Sequence, residues 1–152
     1  ICVAAEDALD AVFGTLNPPT AFEMLMAFII YRLLILPCNE ELTEVRYHPV
    51  GSAFTYLGKW VKEMNETFYI DEWLTKRGGV NAIFKAINHP LINIRKSCVD
   101  AIVAFHEVIG DDIYLFLVDF REDQLNLLKY YVAKSQKKKT NLRRDNINNG
   151  QF

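Results

Sequence analysis

A chain of 152 residues, 51% apolar and 24% charged, can bury one sizeable core, so composition excludes a wholly disordered protein and predicts a single packed domain. The net charge of −2 conceals an asymmetry: residues 1–133 carry 11 Lys/Arg against 18 Asp/Glu, and residues 134–152 carry six against one, so a body of −7 precedes a tail of +5. Cys2, Cys38 and Cys98 are widely spaced and form no C-x-x-C pair, which gives no sign of zinc or redox chemistry and fits a reduced, intracellular compartment.

The chain begins at Ile1 without Met, and its first residues already read as helix, so it is expected to be a piece of a longer protein. Residues 3–16 place Leu9, Val12, Phe13 and Leu16 at helical spacing, and Asn17-Pro18-Pro19-Thr20 stops that helix. A second helix is expected after the prolines, through Phe22, Leu25, Met26, Ile29, Ile30 and Leu33 to about Leu36, with Pro37 ending it. It is apolar around most of its circumference, as suits a helix covered on two sides. Its most apolar stretch, MLMAFIIYRLLILP, is broken by Arg32 and falls short of the ~20 residues that a membrane span needs, so it reads as a core helix.

The polar stretch from 37 to 51, with Pro49 and Gly51, reads as an exposed loop whose acids could face a partner. Residues 52–64 form a third helix with Phe54, Leu57, Val61 and Met64 inward and Trp60 beside them. A short helix over 68–76 around Ile70, Trp73 and Leu74 is closed by Gly78-Gly79. Residues 80–87 show Val80, Ile83, Phe84 and Ile87 before His89-Pro90 ends the run.

Asn93 is then available as N-cap for a helix from Ile94 to Ile109, with Cys98, Ala101, Ile102 and Phe105 inward and Gly110 as its cap. Arg95 and Lys96 pose a problem there, because the start of a helix favours acids over cations. Two shorter helices, 113–118 and 122–133, complete the packed part. The last residues, QKKKTNLRRDNINNGQF, have almost no apolar content and are expected to be disordered.

No strand-like run appears, so the fold class is all-α. Helices paired at roughly 35 to 45 residues per pair suggest an α-solenoid of HEAT type, with 20–36 against 52–64 and 68–88 against 94–109; periodicity alone leaves a globular bundle open.

The segment from Ile92 to Gln136 resembles the C-terminal end of the CLASP family of microtubule-associated proteins. Ile94-Arg95-Lys96, Val108-Ile109-Gly110-Asp111 and Leu127-Leu128-Lys129-Tyr130-Tyr131-Val132 stand where that family's last HEAT repeat has a Val/Ile-Arg-Lys opening, a Val-Ile-Gly-like corner and a Leu-Leu-x-x-Tyr-Ile closing helix. The resemblance covers about a third of the chain well, and AAEDALDAVFGTLNPPTAFEML more loosely. It implies a TOG-like HEAT domain over 1–136, followed by a basic disordered tail over 137–152. It also implies a non-catalytic function: docking a microtubule-stabilising protein to CLIP-type plus-end proteins, kinetochore factors, or cortical and Golgi adaptors, in the cytoplasm, on the cytoskeleton and at the spindle. Direct tubulin binding, self-association and a generic HEAT scaffold are the alternatives. The 37-to-51 loop is longer than the family pattern.

In a solenoid, the turns inside successive pairs line up, so Arg95 is expected beside another repeat's acids or carbonyls. Lys96, His89 and Asn93, with Arg46 and His48, form the candidate partner-binding edge. Trp60, Trp73, Tyr130 and Tyr131 are candidate interface aromatics. Lys137, Lys138, Lys139, Arg143 and Arg144 could bind the acidic surface of a microtubule, anionic lipid or nucleic acid, the last ranked lowest because no aromatic interleaves them. His48, His89 and His106 show no ligand spacing, and no phosphate-cradling glycine loop exists, so neither catalysis, a metal nor another cofactor is expected.

Overall fold

The computed structural model describes residues 2–36, 43–64 and 67–150, and every regular element among them is helical. Pro37, Cys38 and the first part of the expected loop lie outside the described residues. The chain divides into two compact units, 1–117 and 118–152.

In the first unit, α1 (Cys2–Phe13) is followed by α2 (Pro18–Ile30). The two prolines sit inside the first turn of α2, where a missing N–H costs nothing, and Asn17 caps them by accepting from the Thr20 N–H at 3.0 Å. Helix α2 runs into a π-helical turn, Tyr31–Ile35, closed by the Leu36 N–H on the Tyr31 carbonyl at 3.0 Å. By length and composition, Pro18–Ile35 could cross a membrane, but Phe22, Leu25, Met26, Ile29 and Leu33 are buried in the unit's core, as the sequence predicts. In α1 the apolar stripe fails: Phe13 is buried, and Leu9 and Val12 are exposed.

Helix α3 (Glu44–Glu63) starts eight residues earlier than the sequence suggests and absorbs the second half of the expected loop. Thr43 starts it by accepting from the Arg46 N–H at 3.3 Å. Pro49 falls in its second turn, where it removes the donor that the Val45 carbonyl would take. Arg32 Nη2 donates to the next carbonyl, that of Arg46, at 3.1 Å and so ties this first turn of α3 to the π turn. The inward set Phe54, Leu57, Val61 and Met64 is buried as predicted.

Helices α4 (Phe68–Thr75) and α5 (Gly79–Ile87) meet at Gly78, whose φ of 88° ends the first of them. In α5, Ile83 and Ile87 are buried, whereas Phe84 turns outward. Helix α6 (Ile92–Ile109) begins two residues before the expected start, with Leu91 and not Asn93 at the cap position. Its packed face is Ile94, Cys98, Ala101, Ile102 and Phe105. Burial pushes the Cys98 thiol far above the ordinary range, and its Sγ lies 3.6 Å from the Ile83 carbonyl, so it behaves as an inert apolar group. A 3-10 turn, Gly110–Asp112, leads into the single turn α7 (Ile113–Phe116).

The largest interface in this unit joins α3 and α6, and the next joins α2 and α3; α5 also packs on α6. Both expected helix pairs are therefore in contact. Their seam is close because small residues meet: a Cβ on Gly58 would stand 3.4 Å from Ala104 Cβ and 3.7 Å from Ala101 Cα. Lys62 reaches across it to Glu107 at 3.2 Å.

Two glycine replacements should therefore part in sign. Gly58→Ala makes an ordinary contact and gains roughly 1 kcal/mol of helix propensity, so stability should hold or rise. Gly79→Ala puts its methyl 2.6 Å from the Trp73 carbonyl oxygen and 3.1 Å from Leu74 Cα. Backbone cannot yield there, and a loss of about 1–3 kcal/mol is expected. Urea titration of both variants checks the pair; equal effects would contradict the packing.

The second unit is dominated by α8 (Glu122–Asn148). Glu122 and Asp123 place acids in its first turn, and the Gln124 side chain accepts from the Arg121 N–H at 3.1 Å. The disordered tail is thus corrected: residues 137–148 continue this helix without a break. Apolar content decides burial, not helicity; Lys, Arg, Gln and Leu are good helix formers, and no glycine or proline occurs between 122 and 149. Glycine first occurs at Gly150, just past the C-cap Asn149.

Candidate interaction surfaces

The edge residues named from sequence separate into three groups. His48, Asn93 and Lys96 come together on one groove of about 640 Å³ between α3 and α6, with Asp7 and Asp10 of α1 on its rim. Gly51 and Ser97 lie deep in it because the helices approach there; a Cβ on Gly51 would stand 3.4 Å from Ser97 Oγ. His48 Nδ1 lies 3.5 Å from Ser52 Oγ, at the outer limit of a hydrogen bond. Asp100 also lines the groove; desolvation raises its carboxyl above the usual range, and the Lys96 charge partly opposes that. The groove therefore carries both signs of charge.

His89 and Arg95 are drawn inward. His89 is only 6% exposed: its Nδ1 accepts from the Leu91 N–H at 3.1 Å, and its ring lies 4.9 Å from that of Tyr47. Arg95 Nη1 donates to the His89 carbonyl at 2.6 Å and the Pro90 carbonyl at 2.9 Å. The expectation that Arg95 meets another repeat is corrected: it ties down the turn that precedes its own helix. Arg46 stands apart, exposed, with its carbonyl accepting from Arg32.

Of the aromatic candidates, both tryptophans are half-buried. Trp60 lies 6.3 Å from Phe13, with Lys59 Nζ 5.9 Å from its ring and its indole N–H buried with no acceptor among the described residues. The Arg77 guanidinium sits 5.4 Å from the Trp73 ring centre. Tyr130 and Tyr131 are both exposed, 61% and 38%, and their rings pack edge to face at 5.4 Å. The five basic residues Lys137, Lys138, Lys139, Arg143 and Arg144 are exposed on α8.

Sequence reasoning missed one surface. Met24, Phe28, Tyr31 and Ile35 recur at intervals of four, three and four residues and are all exposed, which makes an apolar stripe along the outside of α2 and its π turn. Beside it, Leu34 and Phe84 line a second, largely apolar groove of about 630 Å³, edged by Lys85 and Asn81. A helix apolar all round hides which face is covered. The sequence shows only an excess of apolar residues over what one buried face needs; in the structure five positions of Pro18–Ile30 are buried, and its apolar residues outnumber them.

His106 Nε2 lies 2.8 Å from Asp111 Oδ1, so that acid braces the corner after α6. No cluster of three metal-ligating side chains occurs among the described residues. Compared with protein-family models, curated proteins and solved structures, the chain finds no match.

Proposed function

We propose that this chain is a non-catalytic protein-docking domain of CLASP-like type, which brings a microtubule-stabilising protein to plus-end, kinetochore, spindle or cortical partners in the cytoplasm. The observation that carries docking is the exposed stripe Met24–Phe28–Tyr31–Ile35, with Phe84 and Leu34 beside it. Exposed apolar residues that recur on one helix face fit a surface that a partner covers. The CLASP reading rests on the resemblance of Ile94-Arg95-Lys96, Val108-Ile109-Gly110-Asp111 and the Leu127–Val132 run; contacts of α2 with α3 and of α5 with α6 support its HEAT-type pairing without fixing a solenoid.

Direct tubulin binding through His48, Asn93 and Lys96 is the second reading, favoured by their meeting on one groove. It ranks lower because Asp7, Asp10 and Asp100 share that groove and would repel an acidic polymer.

Affinity capture from extract tests both. Phe28→Glu with Ile35→Glu alters exposed positions only, and should abolish recovery of plus-end, kinetochore or spindle proteins that the unaltered chain captures. Recovery of none of these by the unaltered chain would reject the CLASP reading. Loss of microtubule pelleting on Lys96→Glu, with the stripe intact, would move the assignment to direct tubulin binding.

A further inference from the structure

The helical state of residues 134–148 has a consequence that a disordered tail would not have: it gives the cations fixed neighbours. Leu127, Tyr131, Lys134, Lys138 and Leu142 recur at intervals of four, three, four and four residues, so they share one face of α8. All five are exposed, Tyr130 stands beside them and Lys137 lies at one edge, while Asp145, three residues past Leu142 and seven past Lys138, falls on the same face. The buried residues Leu128 and Val132 lie on another side. The face extends about 23 Å at 1.5 Å per residue.

We propose that this face of α8 lies on an anionic lipid bilayer, with the lysines on phosphatidylserine-type headgroups and Leu127, Tyr130, Tyr131 and Leu142 at the headgroup–acyl boundary. Charge selects the class of partner: on and beside this face Lys134, Lys137 and Lys138 outnumber Asp145, the sole acid between 124 and 148. A second copy of the same face would set lysine against lysine. The aromatic and apolar members select a bilayer over nucleic acid. Tyrosine suits the interface, with an apolar body and a polar tip, and lysine can bury its stem while its ammonium stays at the phosphate level. Tyr130 and Tyr131 pack edge to face on each other, so they do not form an open platform for successive bases. Leu127 and Leu142, at the two ends of the face, have no role against a phosphate backbone. The inference is independent of the CLASP reading, since it uses α8 alone.

Sedimentation of the full chain with phosphatidylcholine vesicles, with and without phosphatidylserine, tests it. Binding should require the anionic lipid and weaken in high salt. Lys134→Gln with Lys138→Gln should lower partitioning about 25-fold, roughly fivefold per lysine, while helix content by circular dichroism stays level because the two residue types have similar propensities. Arg143→Gln removes a charge from the opposite side, nine residues from Lys134, and should cost less than about threefold. Tyr130→Ser with Tyr131→Ser should weaken binding at every salt concentration. Equal partitioning into neutral vesicles, no loss in the double lysine variant, or tighter binding of duplex or single-stranded DNA at the same salt would overturn the proposal.

Discussion

Replacing Phe105 with alanine should lower the free energy of unfolding by about 3–5 kcal/mol, read in the full chain as a lower urea midpoint with an unchanged slope. Phe105 is fully buried on α6, and its ring meets that of Phe22, equally buried on α2, edge to face at 6.2 Å. Truncation removes the ring's transfer free energy and also leaves a void that α2 and α6 cannot close, because both are pinned through α3. A domain of this size has about 5–15 kcal/mol in total, so one side chain decides a large share of the margin. Phe105→Leu fills part of the void and should lose less, which keeps the measurement informative if the alanine variant fails to fold. A cost below about 1 kcal/mol would mean that the ring is not in a close-packed site.

The same packing explains which parts of the fold were legible in the sequence. In α3 and α6, the inward residues Phe54, Leu57 and Val61, and Cys98, Ala101, Ile102 and Phe105, recur at spacings of three and four on helices that also carry polar faces, and all are buried. Where polar contrast is missing, the signal fails. Helix α2 is apolar on nearly every side, so although the set from Phe22 to Leu33 is largely buried as expected, spacing does not mark Met24, Phe28, Tyr31 and Ile35 as exposed. The first two turns of α3 were hidden for another reason: Pro49 normally marks a break, and the Arg32 side chain that reaches the neighbouring Arg46 carbonyl comes from a different helix. No local pattern contains that contact. Residues 137–148 failed because low apolar content was equated with disorder, when helix propensity needs no burial. At the candidate edge, His48, Asn93 and Lys96 line one groove, but no local pattern shows that His89 and Arg95 are consumed in holding the α5–α6 turn.

That turn yields the other large expected effect. Arg95→Ala should cost about 1.5–3 kcal/mol, the worth of hydrogen bonds to a charged group, whereas Lys96→Ala should change stability by less than about 0.5 kcal/mol. A cation near the start of α6 opposes that helix's dipole by about 0.3–1 kcal/mol. The guanidinium of Arg95 is nevertheless held by the carbonyls of His89 and Pro90, the two residues that follow the C-cap of α5. Its charge therefore sits beside the negative end of one helix as well as the positive end of the next, and the two dipole contributions oppose each other. The hydrogen bonds then decide the sign. Lys96 is exposed, faces the groove, and is spaced four residues before Asp100, an arrangement with little worth in water. Both bonds come from the one nitrogen Nη1, so Arg95→Lys keeps the charge and a multi-donor nitrogen but sets it on a stem of different length and shape, and should recover part of the loss. Urea titrations of the three variants give the ordering; equal costs for Arg95→Ala and Lys96→Ala would show that the turn holds without its guanidinium, and that the paradox of a cation at this helix start has another solution.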